Sequence, residues 1–130
     1  MKIEHMNPDG MHKNPAFTQV VTVEGPAKLV IVGGQNAVDA DGNIVGDDLG
    51  TQTEQALRNV LAALESAGAS QENVLKLGIY IVQGQDIREG FAAAQRVWGT
   101  HATAITGVFV AGLAHPRFLV EIEALAAVNP

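Results

Sequence analysis

Apolar and polar positions alternate most clearly near the end of the chain, in FLVEIEALAA at Phe118–Ala127. A period of two is the mark of a β-strand. Val120, Ile122, Ala124 and Ala126 then share one face, and Leu119, Glu121, Glu123 and Leu125 share the other. Two carboxylates therefore stand on one face of an otherwise apolar strand. Acidic side chains are seldom buried without a partner, so this face is either wet or one glutamate looks into a site.

The same reading runs through the rest of the chain. Lys2–His5 makes a short first strand, and Asn7–Pro15, with Pro8, Gly10 and Pro15, makes a loop. Phe17–Glu24 and Lys28–Val32 are strands that the turn at Gly25–Pro26 joins as a hairpin. Gly33–Gly34 then marks a bulge or a close approach by another group, and Asp39–Asn43 is a turn. Thr51–Ala67 is a helix with Ala56, Leu57, Val60, Leu61, Leu64 and Ala67 on one face. Thr51 and Glu54 fit a capping box, with Asp48 a competing cap, and Gly68 ends the helix. Val74–Val82 is a strand. Asp86–Trp98 is a second helix, with Asp86 and Glu89 as its capping box and Ile87, Phe91, Ala94 and Trp98 at helical spacing. Gly90 weakens it by about 1 kcal/mol relative to alanine. Ile105–Leu113 is the next strand, and Ala114–Arg117 leads into the last.

The order is β-β-β-α-β-α-β-β, an α/β (α+β) single domain over residues 1–130 with one mixed sheet and two helices on one face. Several strands are nonetheless apolar on both faces. Leu29 and Ile31 oppose Val30 and Val32, and Leu75, Leu77, Ile79 and Ile81 oppose Val74, Tyr80 and Val82. Strands covered on both sides read in this way. The face without helices must meet another protein surface, so a homo-oligomer is expected.

Composition narrows the chemistry. The 130 residues contain no cysteine, which excludes disulfides and thiolate catalysis. The N-terminus, MKIEHMNPDGMHKN, has no apolar core of a signal peptide, so a cytoplasmic location is expected. No run is long enough to span a membrane. The net charge of −6 and the scattered lysines and arginines argue against nucleic acid as a partner. His5, His12, His101 and His115 show no metal-ligand spacing, and GGQN at Gly33–Asn36 is not a phosphate loop. No metal and no cofactor is expected. Glu121, Glu123 and the loops around Gly33 and Gly107 remain as candidate chemistry. Glycines there either free backbone N–H groups for a ligand or serve only as bulges.

The stretch GGQNAVDADGNIVGDDLGTQTEQALRNVLAALESAGASQENVLKLGIYIV, followed by FVAGL and LVEIEALAAV, resembles the RidA/YjgF family nearly throughout from Phe17 onward. The resemblance implies a chorismate-mutase-like fold. Three subunits would pack their sheets into a central barrel, with a small-molecule cleft at each subunit interface. The family's best-known activity is hydrolysis of enamine/imine intermediates such as 2-aminoacrylate, a hydrolase acting on C–N bonds.

In those deaminases an arginine at the start of the strand matching Ile105–Leu113 holds the substrate carboxylate. This chain has Ile105 at that position when aligned on VAGL, or Thr106 when aligned on VEIEA, and no basic residue between Ala102 and Ala114. By the same resemblance Phe17 replaces a tyrosine, Gly33 a serine and Phe91 an asparagine. Glu121 matches the glutamate that positions the attacking water. The expected site thus has Glu121 as its catalytic group. Phe17, Gly33, Gly34, Gln35, Phe91, Ile105, Gly107 and Arg117 are its ligand-binding candidates. Arg117 is a possible substitute anchor whose simpler reading is a solvated loop residue. Trp98 fits the core better than the cleft. Three functions remain open: a cleft retuned to neutral molecules, a true deaminase with another carboxylate anchor, and a non-enzymatic regulatory trimer.

Overall fold

The computed structural model describes residues 1–130. Its strands are β1 (Lys2–Met6), β2 (Val20–Glu24), β3 (Lys28–Gln35), β4 (Val74–Val82), β5 (Ala104–Val110) and β6 (Val120–Val128). Its helices are α1 (Leu49–Ser66) and α2 (Ile87–Trp98). The main sheet has the order β3-β6-β4-β5, with β4 and β5 parallel and the other pairs antiparallel. Both helices lie on one of its faces, giving the mixed α+β domain that the pattern predicts.

The alternation in β6 decides which side is which. Val120, Ile122, Ala124 and Ala126 are buried against the helices with Val30, Val32, Leu77 and Ile81. From α1 this layer receives Ala56, Leu57, Val60 and Leu64. Trp98 joins it and donates its indole N–H to the His101 carbonyl at 3.1 Å, which makes it a core residue. On the opposite face Leu29 and Ile31 stay exposed, Ile31 at 79%. Val108, in register with Tyr80, is exposed there as well.

Four local expectations are corrected. The hairpin partner of β2 is β1, paired from Lys2↔Glu24 to Met6↔Val20, and not β3. β1 supplies a full antiparallel ladder for β2, and the turn at Gly25–Pro26 separates that ribbon from the main sheet. The cap of α1 is Asp48, whose carboxylate accepts the Thr51 N–H at 2.7 Å; Thr51 and Glu54 form no box. Glu54 instead lies near Arg58 and Arg96. In α2 the buried positions are Gly90, Ala93 and Trp98, while Ile87 and Phe91 are exposed.

Gly90 is the reason for the shifted face of α2. A Cβ there would stand 3.1 Å from the Leu49 side chain, so the glycine lets the two helices approach closely. Asp86 does cap α2, accepting from Arg88 N–H. Glu89 does not complete a box with it; its carboxylate accepts the Gly50 N–H of α1 at 2.9 Å. The two helix starts are thereby tied together. Negative charge at a helix N-terminus is favourable because the first N–H groups have no partner within the helix.

Candidate functional site

The face of the sheet that the helices leave open carries two rows of side chains running across the strands. Val108, Tyr80 and Glu121 are in register on β5, β4 and β6. Thr106, Gly78 and Glu123 form the adjacent row. The two glutamates are two residues apart, roughly 7 Å along an extended strand. Each is held by one neutral donor. The Tyr80 hydroxyl donates to Glu123 Oε1 at 2.7 Å, and the Asn36 side-chain amide donates to Glu121 Oε1 at 3.3 Å. None of the ion pairs in the chain includes either carboxylate.

Two glycines give these side chains room. A Cβ on Gly34 would lie 2.7 Å from Glu121 Cδ, and one on Gly78 would lie 2.9 Å from Glu123 Cγ. Glu121 thus leans toward β3 and Glu123 toward β4, which separates two like charges. Gly33 and Gly34 also make the expected bulge: the register passes from Val32↔Ala124 to Gln35↔Ile122, so two residues of β3 oppose one of β6. The Tyr80 phenol is raised above its ordinary value of 10.0, first by the hydrogen bond to Glu123 and then by the charges of Glu123 and Glu121.

Polar residues of α1 fix the backbone on both sides of Glu121. The buried Gln52 donates to the Gly46 and Arg117 carbonyls and accepts the Leu119 N–H at 2.9 Å, which sets where β6 begins. Asn59 donates to the carbonyls of Asn36 and Val38 at 3.0 and 2.9 Å, which sets where β3 ends. Beside this second clamp lies an open depression of about 480 Å³ lined by Gly34, Gln35, Asn36, Asp39 and Asn59, among others.

The candidate residues fall into separate groups within one chain. Gly33, Gly34, Gln35 and Glu121 gather at the β3 side of the sheet. Phe17 and Ile105 line a second depression, of about 430 Å³, at the β5 side. Phe17 is brought there by the backbone bond from Thr18 N–H to the Thr103 carbonyl. Ile105 is in register with the buried Leu77 and packs against the helix-facing layer, whereas Thr106 is on the open face. Gly107 is exposed in β5, with no close neighbour for a Cβ. Phe91 is exposed on α2. Arg117 pairs with Asp47 at 3.2 Å.

Pattern alone does not single out Asn36 or Tyr80, whose roles depend on which strands become neighbours. The four histidines are far apart along the chain and show no metal-ligand spacing. His5 and His101 in fact meet edge to face at 5.5 Å, and burial, aided by the neighbouring His101, lowers the His5 pKa. No cluster of three or more metal-ligating side chains is present. No helix is long and apolar enough to cross a membrane.

A single mixed sheet with both helices on one face makes this a two-layer α+β domain. Comparison with known proteins agrees. The family model described as Endoribonuclease L-PSP matches residues 11–128. A RutC family protein of Pyrococcus abyssi is 31% identical over 112 residues, 85% of this chain and 84% of its own length. Among solved structures, a conserved Rid-family protein of unknown function from Yersinia pestis superposes with a TM-score of 0.87 at 30% identity. That alignment covers 98% of this chain and all of the other. A member of the YjgF/YER057c/UK114 family from Mycobacterium tuberculosis gives 0.67 at 31% identity, over 98% and 100%. The chain belongs to the Rid family, also called YjgF or RutC.

Proposed function

We propose that the protein is a homotrimer of the RidA type with a small-molecule cleft at each subunit interface, and that the cleft hydrolyses neutral enamines or imines. The observation that carries this reading is Glu121. It is fixed by a neutral amide, has no cationic partner, and lies over a glycine on an open apolar face. A carboxylate so placed can take a proton from water as the water adds to a C=N carbon. Glu121 returns that proton to the nitrogen, and as the adduct's hydroxyl gives up its own proton to the departing nitrogen the C–N bond breaks, releasing ammonia and leaving a carbonyl.

The absence of an arginine on β5 argues for uncharged substrates. A charge-assisted bond to a substrate carboxylate contributes ~1.5–3 kcal/mol, and neither Ile105 nor Thr106 supplies one. The interface location rests on the placement of the two groups. Gly34 and Glu121 are near one edge of the sheet, and Phe17 and Ile105 are at the other, with four strands spanning roughly 14 Å. Assembly of sheets edge to edge is the simplest way to bring them into one cleft. The acidic charge makes an RNA substrate the poorer reading.

The test is carbonyl release from 2-aminoacrylate generated in situ and from its uncharged amide. Wild type should favour the amide, and Ile105→Arg should gain activity on the acid. Glu121→Ala should abolish both. Wild-type turnover of 2-aminoacrylate equal to that of the amide would instead support a deaminase with another carboxylate anchor. Inertness of wild type and Ile105→Arg toward both compounds would reject the hydrolase reading and leave a binding protein.

A further inference from the structure

We propose that Asn36 is the positioning residue for Glu121, and that α1 holds Asn36 in place through Asn59. The inference rests on the reading of Glu121 given above and identifies what sets its orientation. The Asn36 amide nitrogen donates to two acceptors on β6, the Val120 carbonyl at 3.1 Å and Glu121 Oε1 at 3.3 Å. A primary amide has two hydrogens, so both are used. The fork locks the side chain to the strand that carries the carboxylate. Glu121 Oε1 is thus engaged, and its second oxygen is left over Gly34.

Asn36 is itself held from behind. Its carbonyl accepts from Asn59 Nδ2 at 3.0 Å and from Val38 N–H at 2.9 Å. The second hydrogen of Asn59 goes to the Val38 carbonyl at 2.9 Å, and Asn59 Oδ1 accepts from Gln55 Nε2 at 2.9 Å. A continuous set of bonds therefore runs from α1 to the carboxylate: Gln55, Asn59, the Asn36 backbone, the Asn36 side chain, Glu121. Each of the two asparagines uses both donors of its amide. Aspartate at 36 would keep the shape but turn an oxygen toward two acceptors, and alanine would remove the fork.

An amide donor is a suitable neighbour for a group that must accept a proton in the reaction. It orients the carboxylate without neutralising it, as an arginine would. Misplacing a reacting group by about 1 Å can cost on the order of 100-fold in rate. The loss belongs in kcat, because substrate contacts made elsewhere in the cleft are unaffected.

Two measurements on the full-length protein decide the matter. In the first, the side-chain amide resonances of Asn36, assigned by their loss in Asn36→Asp, are followed by 1H–15N NMR as pH is lowered. They should move with the titration of a carboxylate in wild type and stay still in Glu121→Gln. Resonances that do not move in wild type, or that move equally in Glu121→Gln, overturn the contact whether or not the protein turns over substrate.

In the second, kinetics on the 2-aminoacrylate amide compare wild type, Asn36→Ala, Glu121→Ala and the double variant. Asn36→Ala should lower kcat by roughly 10- to 100-fold with KM within about threefold, and the double variant should be no slower than Glu121→Ala. Unchanged kcat in Asn36→Ala, with activity lost in Glu121→Ala, overturns positioning while the function stands. Turnover absent in wild type overturns the function and with it the catalytic role of Asn36, and the NMR response then reports on the contact alone.

Discussion

A tyrosine hydroxyl that donates to a carboxylate can do so only while it keeps its proton. Tyr80 is the only tyrosine in the chain, so its ionisation can be followed directly by ultraviolet absorbance. The bond to Glu123 and the two nearby negative charges raise its pKa in the folded protein above 10.0. The sign follows by linkage: this contribution to stability is fully present below the unfolded value and is lost as pH rises through the folded one. The phenol should therefore titrate later than in the unfolded chain, and Glu123→Gln should move its midpoint back down. A midpoint unchanged by that substitution would mean that Glu123 does not hold the hydroxyl. At this scale the sequence was half legible. Strict alternation put Glu121 and Glu123 on one face, and paired glycines at 33 and 34 announced a bulge. Asn36 and Tyr80 were opaque, because their partners are residues 85 and 43 positions away along the chain.

The elements were predicted in number and type, and they differ in where they begin and what they face. Helix α1 begins at Leu49 because Asp48, the residue immediately before it, accepts the Thr51 N–H. Two capping signals competed within six residues, and only the direction of chain entry separates them. The hydrogen bond from Thr51 N–H, above all, holds the Asp48 pKa below its ordinary value of 3.8. A carboxylate shifted in this direction stabilises the fold above its unfolded pKa, and the benefit is lost as pH falls through the folded value. Asp48→Ala should lower unfolding stability by about 1 kcal/mol near neutral pH, with the difference from wild type shrinking in acid. Glu54→Gln should leave the cap intact, as chemical denaturation of the two variants will show. Equal losses would restore the capping box. Helix α2 shows what spacing alone misses. Ile87 and Phe91 have the right period for a core face, yet Gly90 and Ala93 are the buried positions. The period gives the width of a face, and the neighbour chooses its direction. Here the neighbour is α1, whose Leu49 requires the space above Gly90.

At the scale of the whole molecule, one side of the sheet is finished and the other is not. The helices cover Val30 and Val32 of β3 but leave Leu29 and Ile31, equally apolar and on the same strand, at 58% and 79% exposure. Continuous apolar strands make this imbalance readable in the sequence, since two helices cannot cover two faces. The number of copies was not readable, and the trimer comes from the family resemblance. If the open face is the assembly surface, a charge placed on its apolar edge strand must be buried without a partner when subunits meet, at a cost of several kcal/mol per site. Ile31→Glu should therefore sediment as a monomer where wild type should sediment as the proposed trimer. Its backbone pairing with Leu125 and the core side of β3 would be untouched, so the monomer should keep its secondary structure by circular dichroism. On the proposed function, loss of assembly should also remove turnover, because Gly34 with Glu121 and Phe17 with Ile105 are at opposite edges of one sheet and the proposed cleft needs both. An Ile31→Glu protein that stays trimeric would place the interface elsewhere. One that is monomeric and fully active would keep the interface but confine the whole site to a single chain.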